Sequence, residues 1–353
     1  MKRILVTGAG GSAAKNFIES LRLSPEKFYI VGIDIKPYHL ELTDLDASYI
    51  VPSVTDQNYL KKLIYLIDKE KIDLVHPQPD PEVLFLSRNR NKVKAKLFLP
   101  KRKSIEVCQN KMKLISLLSQ KKVPVGESFL VINEKVLLVA MKSLLKNGHK
   151  VWLRAIRGAG SRASLPVKSV KQAQFWIDYW SEMKGIGYGD FMATEFLPGK
   201  EFAFQSIWMK GKLITSQARE RIEYLYGNLT PSGQTSTPSV ARTVHREDVN
   251  EIATKAVLAV DTHATGVFCV DLKENKKSIP CVTEINAGRF FTTSNFFSEA
   301  GSNMPYYYVK MAFREKLPKL PKYNPIPENW YWVRMVDMGY KLVKNGKWKS
   351  KNI

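Results

Sequence analysis

Cysteine and histidine are scarce in this 353-residue chain, acidic residues are outnumbered, and long apolar runs are missing. The three cysteines, Cys108, Cys269 and Cys281, have no metal-type spacing. Two of them fall in apolar strand-like runs, so they read as reduced core residues rather than as a disulfide or zinc framework. No stretch approaches the roughly 20 apolar residues that a bilayer crossing requires. The opening Met1-Lys2-Arg3-Ile4-Leu5-Val6-Thr7 enters a strand without signal-peptide architecture, and the expected location is the cytoplasm. Asp and Glu number 33 against 55 Lys and Arg, a net charge of +22. A field of that sign suits nucleic acid, an anionic membrane surface or an acidic small substrate. The bases are nonetheless scattered, with only short clusters such as Lys101-Arg102-Lys103, and no nucleic-acid-binding motif accompanies them. Solubility accounts for scattered lysine equally well. The length allows two or three domains, and 44% hydrophobic residues can fill their cores.

What is present begins with an open α/β pattern. Arg3–Thr7 is a β-rich run, Gly8–Ala13 a turn, Ala14–Leu23 helical, and Tyr29–Ile35 a second strand containing Asp34. Helical pattern at Gln57–Lys69 and a strand at Asp73–His76 complete a βαβαβ order, which implies a parallel sheet with ligand-binding loops at its carboxyl ends. Gly8-x-Gly10-x-x-Ala13, with Asp34 some way downstream, also satisfies the dinucleotide fingerprint. Read alone it indicates an NAD(P)-dependent oxidoreductase or epimerase. The Tyr-x-x-x-Lys pairs at Tyr65/Lys69 and Tyr306/Lys310 lie in helical stretches that do not suit that chemistry, and the glycines by themselves require only a tight turn.

A charged turn, Lys273–Ser278, separates Gly266–Asp271 from Pro280–Arg289 and reads as a hairpin. Alternation puts Val267, Cys269 and Asp271 on one face of the first strand and Val282, Glu284 and Asn286 on one face of the second. Two carboxylates and an amide thus meet, and hard oxygen donors of this kind suit Mg²⁺. Ordinary solvated acids on a surface hairpin are the plain alternative.

Between these segments, Cys108-Gln109-Asn110-Lys111-Met112-Lys113 opens an amphipathic helix running to Gln120. Val151–Ile156 is a strand with an interior Arg154, and Arg157–Ser164 is a glycine-containing basic loop that can fold over phosphates or serve as an ordinary turn. Met192–Gln205 holds Glu195, a Pro198-Gly199 turn and Glu201, a connector able to meet a nucleoside through its backbone and two acids. Arg219 and Arg221 alternate on a strand; they face a substrate carboxylate or form an exposed basic edge.

The ordered set of Lys111, Arg154 with its glycine loop, Glu195-Phe196-Leu197 with Glu201, then Asp271, Glu284-x-Asn286 and Arg289 resembles the ATP-grasp superfamily. The flavour is that of the module in the carbamoyl phosphate synthase large subunit, and it extends over roughly residues 1 to 312. The resemblance implies an α/β fold, α+β in the ATP-grasp part: a Rossmann-like parallel sheet over residues 1–105, then a two-lobed ATP-grasp fold over 106–316 whose nucleotide lobe is about 125–197. Residues 317–353 read as linker and small β unit.

The same resemblance implies site roles. Lys111 and Arg154 would contact ATP phosphates, with Gly158, Gly160 and Ser161 closing over them. Glu195, Phe196 and Leu197 would line the adenine pocket and Glu201 the ribose. Asp271, Glu284 and Asn286 would hold Mg²⁺, or Mn²⁺ in its place. Arg289 and Arg154 are the implied catalytic cations. Arg219, Arg221, Thr293 and Asn295 are candidate substrate contacts. The implied activity is ATP-dependent carboxylate–amine or carboxylate–thiol ligation through an acyl-phosphate, acting on small molecules, anionic ones among them, with a homodimer compatible and no membrane partner. An oxidoreductase or epimerase, or a non-catalytic nucleotide- or nucleic-acid-binding module, stands as the alternative.

Overall fold

The computed structural model describes residues 1–146, 150–158, 163–235 and 237–347. Among these the strands are β1 (Lys2–Thr7), β2 (Phe28–Asp34), β3 (Ala47–Ile50), β4 (Leu74–His76), β5 (Ser128–Val131), β6 (Val151–Ala155), β7 (Leu165–Val167), β8 (Phe191–Glu195), β9 (Glu201–Met209), β10 (Lys212–Tyr224), β11 (Pro238–Thr243), β12 (Gly266–Glu274), β13 (Pro280–Ala287), β14 (Tyr331–Met335) and β15 (Gly339–Val343). The helices are α1 (Ser12–Arg22), α2 (Tyr59–Lys69), α3 (Asp80–Arg88), α4 (Arg102–Cys108), α5 (Lys111–Gln120), α6 (Glu134–Lys146), α7 (Val170–Lys184), α8 (Glu247–Val260), α9 (Ser294–Glu299) and α10 (Met304–Ala312).

The first sheet is parallel, in the order β3-β2-β1-β4. Continuous apolar runs such as Ile4-Leu5-Val6 fit strands covered on both faces. Strand β3, which the sequence pattern did not reveal, sits at the edge with alternate residues exposed. Strand order reverses beside β1, and the glycine turn lies at that crevice. Ile4, Val6 and Phe17 pack in one cluster with Ala203, Val267 and Phe290, so the parallel sheet and the hairpin share a core. Each of these buried side chains larger than Ala203 contributes roughly 1.5–3 kcal/mol relative to exposure.

A smaller antiparallel sheet, β5-β8-β6-β7, is covered by α6 and α7. Helix α6 buries Leu137, Ala140, Met141 and Leu144, an i, i+3, i+4, i+7 stripe. The third sheet, β13-β12-β9-β10-β11-β14-β15, has seven strands. Strands β14 and β15 extend its far edge through β11, so the strand part of residues 317–353 is continuous with the large sheet.

Two details depart from the sequence pattern. The helix expected from Cys108 begins at Lys111, because Asn110 is its N-cap and accepts a hydrogen bond from the Lys113 amide at 3.0 Å. In the hairpin, Val282 does not share the face of Glu284. A bulge at Thr283 opposes Leu272 with Val282, which packs among Val270, Leu272 and Ile285. The Val282 amide leaves the ladder to donate to the Pro124 carbonyl at 2.9 Å.

Candidate functional site

A cleft of about 1190 Å³ opens between the small and large sheets and reaches the glycine turn of the first. Lys111 stands at its centre because Asn110 starts α5 there and the Lys111 amide donates to Ile156 O at 2.9 Å. The Lys111 ammonium donates to Gly158 O at 2.7 Å and lies 3.5 Å from Glu284 Oε2. Arg154, buried on β6, reaches across the cleft and donates from Nη2 to Thr283 O at 3.1 Å; its Nε has no partner among the described residues. Burial lowers the Arg154 pKa, an effect that Glu284 opposes.

Glu284 and Asp271 are cross-strand partners in β13 and β12, as alternation predicts. Burial alone would raise the Glu284 carboxyl, yet Lys111, Arg289 and Arg154 outweigh it and hold that carboxyl below its ordinary range. Asp271 goes the other way. Burial raises its carboxyl, with Arg221 opposing and Glu284 adding to the rise. Arg221 donates to Asp271 Oδ1 at 2.5 Å, and the Asn286 amide donates to Oδ2 at 3.2 Å. Arg289 donates to both oxygens of Asp80, at 2.5 and 3.1 Å, and to the Asn286 side-chain oxygen.

At another part of the cleft, Phe196 lies 6.3 Å from the Trp152 ring and below the Lys150 ammonium at 5.4 Å. Leu197 is buried, and Glu195 lines the cleft beside it. Glu201 is fully engaged: the Tyr224 hydroxyl donates to one oxygen, and the Gln234 amide and Lys273 ammonium donate to the other.

The structure thus brings Lys111, Arg154, Gly158, Glu195, Phe196, Leu197, Glu201, Arg221, Asp271, Glu284, Asn286 and Arg289 to one cleft. Gly160 and Ser161 lie outside the described residues. Arg219, Thr293 and Asn295 are not among the residues lining it. Arg219 lies behind, donating to the Thr293 hydroxyl, while Asn295 bonds Asn16 and Glu299 and fastens α9 to α1.

The ATP-grasp domain family model matches residues 108–294. The chain belongs to the ATP-grasp family. Residues 4–97 of this ATP-grasp chain also match the PylC-like N-terminal domain. No curated protein matches the sequence. Solved structures share the fold at low identity. An L-amino acid ligase from Bacillus licheniformis is 15% identical, with a TM-score of 0.67 over 94% of this chain and 79% of that one. Carboxyaminoimidazole ribonucleotide synthase from Aspergillus clavatus, complexed with ATP, is 16% identical with a TM-score of 0.70 over 94% and 81%. Biotin carboxylase from Campylobacter jejuni is 16% identical with a TM-score of 0.69 over 94% and 74%. Among the described residues no helix is long and apolar enough to cross a membrane.

Within this ATP-grasp cleft, sequence reasoning missed Asp80 and Lys273. Lys273 follows Asp271 at strand period two, a signal that was available. Asp80 is the first residue of α3, after Pro77-Gln78-Pro79, and nothing local ties it to Arg289 some 209 positions away.

The glycine turn is explained by packing. Gly8 has φ +58°, and a Cβ there would meet Pro79 Cγ at 2.4 Å. Asp34 Oδ2, the expected ribose ligand of a dinucleotide fold, accepts from the Gly10 amide at 3.0 Å.

Among the described residues no three His, Cys, Asp or Glu side chains converge. The protein's contribution to a cation would be Asp271, Glu284 and the Asn286 oxygen, with substrate phosphates and water supplying the rest. That donor set fits Mg²⁺: all three offer hard oxygens, and the raised Asp271 carboxyl beside Glu284 is a pair that a divalent cation relieves.

Proposed function

We propose that this chain is an ATP-dependent carboxylate–amine ligase that forms an acyl-phosphate and releases ADP and phosphate. The observation that carries the reading is the gathering of Lys111, Arg154 and Arg289 around Glu284 in a cleft between two sheets. In this reading residues 106–316 form the ATP-grasp unit and residues 1–105 the domain before it. Glu195, Phe196 and Leu197 receive the adenine, and Glu201 receives the ribose by exchanging its present partners.

A carboxylate oxygen of the substrate attacks the terminal phosphorus of ATP while the bridging P–O bond breaks and ADP leaves. An amine, or a thiol in the variant reaction, then attacks the acyl carbon and expels phosphate. Such transfers need positioning and charge neutralisation more than covalent help from the protein. Lys111 and Arg154 supply fixed positive charge beside Glu284, and Arg289, oriented by Asp80, faces the acyl group. Mg²⁺, held by Asp271, Glu284 and Asn286, would neutralise phosphate charge; the same oxygens also accept Mn²⁺.

Thermal melts with ATP·Mg²⁺, ADP·Mg²⁺, NAD and NADP test the class, since a ligand of the native state raises stability by mass action. Stabilisation by the adenine nucleotides alone is expected. Stabilisation by NAD or NADP alone would overturn the reading.

A further inference from the structure

Three arginines surround the turn that follows the hairpin. Arg219 and Arg221 share one face of β10 and both stand over the Phe291 ring, with guanidinium carbons 4.8 and 5.6 Å from its centre. Arg219 also lies 5.7 Å from the Phe297 ring and donates to Thr293. From β14, two strands away, Arg334 donates to Thr292 O at 3.1 Å and to Pro238 O at 3.0 Å. Among the described residues only one of the three has a carboxylate partner, the Arg221–Asp271 pair. Arg219 is 1% exposed. Arg219 Nε, Arg221 Nε and Arg334 Nη2 are buried and have no hydrogen-bond partner among the described residues.

Buried cations are costly unless paired. The aromatic rings and carbonyls repay part of that cost for Arg219 and Arg334 but neutralise neither charge. Consistent with this, burial together with the Arg221 charge depresses Arg219 to about 9, and burial depresses Arg334 to about 10. Arg221, Phe291 and Thr292 line the cleft, and Arg219 and Arg334, which do not, stand against Phe291 and Thr292 respectively.

We infer that Arg219, Arg221 and Arg334 form a subsite for an anionic group of the substrate, a carboxylate or phosphate separate from the carboxylate that is activated. The inference rests on the ligase reading for the role of the bound molecule, and it names an acidic substrate class. The orphaned N–H groups of all three side chains supply donors, and the guanidinium fork matches carboxylate or phosphate oxygens. Arg334 comes from a strand beyond the matched ATP-grasp segment, so the tail of the chain would set specificity.

The test is calorimetric titration of inorganic phosphate, and separately of succinate, into protein saturated with Mg²⁺ and a non-hydrolysable ATP analogue. The analogue keeps phosphate out of the nucleotide site. The wild type should bind one or both anions, and the arm that binds identifies the group. Arg334→Gln should weaken that binding at least about tenfold, Arg334→Lys should retain most of it, and both variants should bind the analogue normally. Arg219→Gln provides a second variant if Arg334→Gln fails to fold. Anion binding unchanged in Arg334→Gln and Arg219→Gln, or no binding to the wild type, would overturn the subsite. Failure of the analogue to bind would instead count against the ligase reading.

Discussion

Asp271 and Glu284 face each other across β12 and β13, yet their carboxyl groups are displaced in opposite directions from the ordinary range. The difference lies in their neighbours. At Glu284 the charges of Lys111, Arg289 and Arg154 outweigh burial, whereas at Asp271 burial, with the negative charge of Glu284 adding to it, outweighs Arg221, Arg219 and Arg289. A divalent cation between them would favour the charged form of both.

Glu284→Gln combined with Asn286→Ala should lower turnover by about 10²–10³-fold or more while the fold persists, the scale seen when electrostatic groups at a reacting centre are removed. Steady-state ADP release and circular dichroism on the same preparation measure both. Undiminished turnover would sink the metal assignment.

Lys111→Met should move the acid limb of the kcat/KM profile to higher pH. The Lys111 charge helps to hold Glu284 below its usual value, so removing it lets the proton bind at higher pH. An acid limb that stays in place or moves lower would mean that Glu284 is not the titrating group.

Linkage gives a stability counterpart. Because the folded-state value of Glu284 is depressed, its contribution is fully present above the unfolded value of about 4.3 and is lost as pH falls through the native one. Urea midpoints measured from pH 6 down to pH 3 should therefore fall less steeply in Glu284→Gln than in the wild type. Parallel profiles would contradict the charge cluster.

Gly8→Ala should destabilise the protein by about 1–3 kcal/mol or more, through strain at positive φ and the clash with Pro79. Nucleotide affinity at the ATP site should be unaffected. Isothermal titration that finds micromolar NAD or NADP binding, lost in Asp34→Ala, would restore the dinucleotide reading of the turn.

Much of this arrangement is local and therefore legible from the chain. Period-two alternation places Asp271 opposite Glu284, and the βαβαβ order yields the parallel sheet. The bulge at Thr283 was not legible, since it depends on Pro124 capturing the Val282 amide from outside the hairpin. The α5 boundary was readable in principle, because Asn110 is a good N-cap. Contacts made at long range, Arg289 with Asp80 and Arg334 with Thr292, have no signature in sequence spacing. The depth of Arg219 escapes the sequence for a related reason: alternation specifies a face but not how deeply Phe291 and Phe297 bury it.

The most direct test of the central claim is a ³¹P measurement on a screen of ¹⁸O-labelled carboxylates with amine acceptors, ATP and Mg²⁺. Transfer of label from the carboxylate into released inorganic phosphate, with ADP as the other product, is the predicted result. Formation of AMP and pyrophosphate, or phosphate free of label during amide formation, would contradict the acyl-phosphate route.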